Sequence, residues 1–211
     1  RTGPSPSDRT MMLHTAGLSI VTAIACAAGA ARAQTYHVRD LGSLGGLGDT
    51  EAFALSRTGT SPVVVGFATR ADHAHQAFVW ADGVMREVSP LAPDVFSIAY
   101  GIDAQGRAVG EMYQLGEAGS RAFRTGGAVL AGLGQFTARA TNDAGEVAGY
   151  RMVVETIGLA GELTFDRACV YRGTPPALTE LGTMYGSHWS RAYAMNNHGM
   201  IVGCSGTAND A

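Results

Sequence analysis

Charge is scarce in this chain. Asp, Glu, Lys and Arg make up 16% of its 211 residues, against about 25% in ordinary globular domains. The formal net charge is -3 and no basic stripe runs through the sequence, so nucleic acid and anionic membrane are not expected partners. Cysteine is scarcer, at three residues. Cys26 lies in an apolar N-terminal stretch. Cys169 and Cys204 fall in different repeats, where an oxidising compartment could pair them or both could stand as buried thiols. The apolar run Ala16–Ala30 is too short to span a bilayer comfortably. Two catalytic signatures are also missing. Gly48-Asp49-Thr50 lacks the lysine of a Walker loop, and no G-x-S-x-G occurs.

Residues 1–33 read as a secretory signal peptide. Arg1 and Arg9 supply a positive start, Ala16–Ala30 the apolar centre, and Ala31-Arg32-Ala33 a cleavage site ahead of Gln34. A buried helix or a membrane anchor is the competing reading. Ala23-Ile24-Ala25-Cys26 makes only a weak lipoprotein-type box. Met11 follows both arginines, so translation is expected to start upstream. The mature protein, residues 34–211, is expected to be secreted, extracellular or periplasmic, with no stable membrane span once the signal is cleaved.

What the chain does have is glycine, 29 residues of it, arranged in repeats. LGSLGGLGDTEAFALS from Leu41 aligns without a gap on LGTMYGSHWSRAYAMN from Leu181. Ala52-Phe53-Ala54 pairs with Ala192-Tyr193-Ala194, and further copies are Ala99-Tyr100-Gly101 and Ala138-Arg139-Ala140. In three copies the turns DAQG, NDAG and NNHG follow, ending in Gly106, Gly145 and Gly199. Short apolar segments then end in Gly110, Gly149 and Gly203. The first copy runs through Gly59 and extra residues to Gly66. An Asx side chain can bond the backbone two residues on, and glycine supplies positive φ, so each copy predicts a hairpin. A second hairpin opens with His75-Gln76-Ala77-Phe78-Val79-Trp80, Arg121-Ala122-Phe123 or Arg167-Ala168-Cys169. It closes on Glu87-Val88, Gly132-Leu133-Gly134 or Glu180-Leu181-Gly182.

Four short antiparallel strands per unit predict an all-β fold, a β-propeller-like array of about four repeats. Small residues on the first strand suit a crowded centre, and Phe78, Trp80, Phe123 and Tyr171 are expected to fill the wedges between sheets. A β-solenoid would give shorter repeats, and a sandwich would give no self-similarity. Tyr36-His37-Val38-Arg39-Asp40-Leu41-Gly42 matches the closing strand of a unit, while the last unit stops after its second strand. The expectation is a truncated ring with exposed sheet edges.

Asp40-Leu41-Gly42-Ser43-Leu44-Gly45-Gly46, the glycine turns and His75-Gln76-Ala77-Phe78-Val79-Trp80 resemble the HAF family of bacterial extracellular repeat proteins, named for a His-Ala-Phe triplet. Nearly everything after Ala33 shares the pattern. Gln76 interrupts the triplet, later units have Arg in place of His, and the third unit carries a long loop from Val153 to Phe165. The resemblance implies an exported repeat protein and supplies no catalytic residues.

No residue is singled out as catalytic, cofactor-binding or metal-ligating. The glycines from Leu41 precede a strand-like alternation rather than a helix, which argues against a phosphate loop. His73 and His75 could face one way in a strand, yet no third ligand accompanies them. The Asx turns offer too few oxygens for calcium. His188 and His198 look isolated, and Ser187-His188 is merely contiguous. Glu111, Glu117, Glu146, Glu155 and Glu162 are scattered among turns and loops. Arg39, Arg124, Glu111 and Trp189 break the repeat without obvious convergence. Two functions remain. One is a non-catalytic scaffold or binding module, whose partner is an unidentified ligand such as carbohydrate or protein at the cell surface. The other is a secreted propeller hydrolase or lyase acting on carbohydrate.

Overall fold

A computed structural model describes residues 38–45, 48–58, 61–71, 74–88, 95–114, 116, 119–125, 128–129, 136–157, 161–174 and 176–206. The chain divides into two compact units, Arg1–Asp40 and Leu41–Ala211. The signal peptide and Cys26 lie outside the described residues, as do Gly132-Leu133-Gly134, Glu117 and His73.

The second unit is all-β, in several antiparallel sheets, with no helix among the described residues. The first sheet is β1 (Thr50–Thr58), β2 (Ser61–Thr69), β3 (His75–Ala81) and β4 (Val84–Glu87), in that spatial order. The second is β5 (Val95–Ile102), β6 (Ala108–Gln114), β7 (Arg121–Arg124) and β8 (Ala128–Val129). The third is β9 (Phe136–Thr141), β10 (Val147–Ile157), β11 (Gly161–Arg172) and β12 (Ala177–Glu180), and β13 (Ser190–Met195) pairs with β14 (Ile201–Ser205). Each sheet meanders in chain order, as the paired hairpin signals predict. The segment Val153 to Phe165 corrects the sequence reading. Its described residues are strand rather than loop: β10 and β11 stay in register from Val147↔Tyr171 out to Ile157↔Gly161.

Successive sheets pack through the first strand of the later one. β5 lies against β1, β2 and β3; β9 against β5, β6 and β7; β13 against β9, β10 and β11. Side-chain alternation along the third strand explains the repeated Ala-Phe pair. Ala77 faces the second sheet in a cluster with Val65, Ala99 and Phe123. Ala122 faces the third with Val109, Phe136 and Val147, and Ala168 faces β13 with Ala148 and Ala192. Alanine suits these sites because the neighbouring strand comes close. Ser97 Oγ accepts a hydrogen bond from the Ala77 amide at 2.9 Å, and Ser190 Oγ accepts one from Ala168 at 3.0 Å. The aromatic partner points to the preceding side. Phe123 and Tyr171 fill the spaces between sheets as expected. Phe78 and Trp80 do not: they pack with Ala68 under Leu41 and Leu44.

The hairpin turns follow the sequence expectation. Oδ1 of Asp103 accepts hydrogen bonds from the amides of Gln105 at 3.0 Å and Arg107 at 2.9 Å. Oδ1 of Asn196 accepts them from His198 and Met200, both at 3.0 Å. Gly106, Gly145 and Gly199 close the turns at φ 79°, 79° and 74°, a region open to glycine without steric cost.

Candidate functional site

Within each hairpin, before the chain reaches the turn, the first strand carries a β-bulge. Register shifts fall between Ala52 and Ala54, between Ala99 and Gly101, opposite Ala148 and Gly149, and between Ala192 and Ala194. The extra residue in each case is the centre of the Ala-X-Ala/Gly repeat: Phe53, Tyr100, Arg139 and Tyr193. The bulge explains the glycine that ends each second strand. A Cβ on Gly66, Gly110, Gly149 or Gly203 would stand 1.8, 1.9, 1.9 or 1.9 Å from the carbonyl oxygen of Glu51, Ile98, Thr137 or Arg191. The repeat therefore fixes the backbone and leaves the bulged side chain free to vary.

Those four side chains form one line across the sheets. The Phe53 and Tyr100 rings lie 5.3 Å apart. The Arg139 guanidinium sits 3.8 Å over the Tyr100 ring and 5.8 Å from that of Tyr193. A second line comes from the residues after the bulge glycines, Phe67, Glu111, Tyr150 and Cys204. Phe67 lies 6.1 Å from Phe53 and stacks on His75 at 4.4 Å. The Tyr100 hydroxyl donates to Glu111 Oε1 at 2.7 Å, and the Cys204 thiol donates to the Tyr193 hydroxyl at 3.5 Å. Across the sheet boundary, Thr137 Oγ1 donates to Glu111 Oε2 at 2.8 Å. Arg191 lies 5.1 Å over Tyr150 and 5.9 Å from Trp189, and its Nε donates to Asp166 Oδ2 at 2.6 Å.

The electrostatics suit recognition better than proton transfer. Burial, then the hydrogen bond to Glu111 and its charge, push the Tyr100 phenol well above its ordinary value. Burial and the charge of Glu111 do the same to Tyr150. Both stay neutral donors in any physiological range. Burial works against the Arg191 cation, yet hydrogen bonds to Asp166 and Tyr193 and the charge of Asp166 hold it protonated. Glu111 has a donor on each oxygen, the Tyr100 hydroxyl on one and the Thr137 hydroxyl on the other. A further cluster occupies the β10–β11 hairpin, where Glu155 meets Arg167 and, at 3.2 Å, His188 Nδ1. The hydrogen bond from His188, opposed by burial and aided by Arg167, lowers the Glu155 carboxyl. His188 also stacks on Phe165 at 5.2 Å.

Several residues singled out in the sequence find their places here, and some readings change. Glu111 is not in a turn; it stands on β6 in the middle of the layer. His188 is not isolated, because it meets Glu155. Ser187 gives its hydroxyl to the Trp189 carbonyl at 2.9 Å rather than to His188. Trp189 belongs to the layer, whereas Arg124 sits at the turn end, donating to the Gly145 carbonyl at 2.9 Å. Glu146 braces the turn by accepting from Asn142 Nδ2 at 2.6 Å. Glu162 and His198 are exposed on a hairpin and a turn. The pairing of His73 with His75 rests on a residue outside the described ones, and among the described residues no group of three or more His, Cys, Asp or Glu is placed to hold a metal ion. Cys169 and Cys204 are both free thiols, the first buried and the second exposed. Burial pushes the Cys169 thiol up to about 12.

Sequence reasoning missed Tyr150, Asp166, Arg167 and Arg191 as members of a site. For Tyr150 the signal was in the repeat itself, at the changing residue after the constant glycine, where Phe67, Glu111 and Cys204 stand in the other copies. No family model, no curated protein and no solved structure matches this chain.

Proposed function

We propose that the chain is an exported, non-catalytic, β-propeller-like repeat module of the HAF type, and that it binds its ligand on the layer of bulged residues. One observation carries this reading. Four repeat-equivalent positions share one backbone geometry, yet hold Phe53, Tyr100, Arg139 and Tyr193 in contact along a single line. Phe53 and Tyr193 are 43% and 42% exposed, so the line is open to a ligand at both ends. Aromatic faces beside charged and hydroxyl groups are the usual makings of a surface for carbohydrate or for a polar protein segment. The propeller arrangement is supported by sheets that meander in chain order and by the packing of each first strand on the sheet before it.

The rival reading, a carbohydrate hydrolase or lyase, has one observation in its favour: Glu111 and Asp166 both bear on Tyr150. Against it, each carboxylate already holds hydroxyl or guanidinium donors. Titration of the full chain against a panel of glycans tests the choice. Saturable binding without release of reducing ends or unsaturated sugars is expected, with at least tenfold weakening in Tyr193→Ala. Turnover that vanishes in Glu111→Gln would establish the enzyme instead.

A further inference from the structure

Arg139 differs from the other half-buried arginines of the second unit. Arg107 is held by Asp103 at 2.5 Å, Arg124 by the Gly145 carbonyl at 2.9 Å, Arg151 by Glu180 at 3.0 Å, and Arg191 by Asp166 at 2.6 Å. Arg167 is held by Glu155, and Arg70 also has a partner. Arg139 has two tyrosine rings and, among the described residues, no side-chain hydrogen bond or ion pair. Stacking uses the faces of the guanidinium and leaves its in-plane N–H donors unspent. A planar cation set on the Tyr100 ring and near that of Tyr193, with its fork unbonded, matches the geometry of a carboxylate.

Its neighbours narrow the ligand. Glu111 and Asp166 stand in the same layer, so a ligand dense in negative charge would be repelled. Each carboxylate oxygen of Glu111 receives one hydrogen bond, which leaves lone pairs for further donors. The site therefore asks for one carboxylate set among hydroxyl donors, with apolar ring faces for Tyr193 and Phe53. We infer, building on the binding reading above, that the layer takes a uronic-acid-bearing polysaccharide, with the sugar carboxylate on Arg139 and sugar hydroxyls on Glu111 and Asp166.

Calorimetric titration of the full chain with oligogalacturonate, a neutral dextran oligomer and polyglutamate tests this. Oligogalacturonate is expected to bind at least tenfold more tightly than dextran, and polyglutamate to bind weakly. Arg139→Gln is expected to cost about tenfold to a hundredfold in oligogalacturonate affinity and to leave any dextran binding unchanged. If that variant melts early, competition by monomeric galacturonate against glucose on the wild-type chain replaces it, with galacturonate alone displacing the oligomer. Equal affinity for dextran, or tighter binding of polyglutamate, would overturn the uronate assignment and leave a binding module standing. Failure of every glycan and peptide to bind would remove both.

Discussion

The turn and the bulge of each hairpin solve different problems with the same repeat. At the turn end, Asp103, Asn142 and Asn196 bind their own backbone in nearly the same way, and the following glycines share one conformation. At the bulge the backbone is equally constant, but the side chain passes from phenyl to phenol to guanidinium to phenol. Chemistry held constant serves the fold. Chemistry allowed to vary on a constant backbone is available for recognition. The turn can be inspected for stability, the bulge glycine likewise, and the bulged side chain for ligand binding.

The largest effect should come from the glycine that permits a bulge. Gly149→Ala would drive a Cβ to 1.9 Å from the Thr137 carbonyl oxygen, and only backbone movement relieves that contact. A loss of about 3 kcal/mol or more is expected from chemical denaturation; a loss below about 1 kcal/mol would mean that the bulge is dispensable.

Next come the turns. Asn142 is buried, and its side chain accepts from the Glu146 amide at 3.0 Å and donates to Glu146 Oε2 at 2.6 Å. Asn196 makes the same backbone contacts but is exposed. Replacing Asn142 with Ala should cost about 2 kcal/mol, and replacing Asn196 at most about 1, because water can satisfy the exposed turn. Equal losses in thermal melts would contradict that ranking.

The smallest effect concerns the junction that begins each end of the self-alignment. Gly42 and Gly182 share positive φ at 82° and 80°. Tyr185 stands where the first copy has Gly45, and it takes the same left-handed conformation, φ 45° against 85°. Its side chain is 95% exposed, so it makes little contact to offset the strain. Tyr185→Gly should raise stability by up to about 1 kcal/mol, read as a higher melting temperature.

Much of the fold was legible because its determinants are local. An Asx residue three positions before a glycine specifies a turn through bonds that span only a few residues, and Ala-Phe pairs mark strands through alternation. The bulge was not legible, since it depends on which residue of the second strand meets which of the first. The layer was less so: Tyr100, Glu111, Thr137 and Arg139 meet only after two sheets pack. The segment from Val153 to Phe165 looked like a loop because Val154 and Leu163 in it, like Met152 just before it, find no core. Met152, Val154 and Leu163 remain 46%, 64% and 42% exposed on a hairpin that outgrows its sheet.

The turns are also joined to one another. The Ala104 amide donates to Asp143 Oδ1 at 2.8 Å, and the Asp143 amide donates to Asn197 Oδ1 at 3.0 Å. Each link needs an amide from one repeat and a side-chain acceptor from the next, so the seam has a polarity. Alanine at 104 can give but not receive. A shuffled gene that placed this repeat behind either of the others would break the seam at that joint. The order of the repeats is thus written into the molecule at that joint: a duplicate of the Asp143 or Asn197 repeat could extend the seam, and a duplicate of the Ala104 repeat could not.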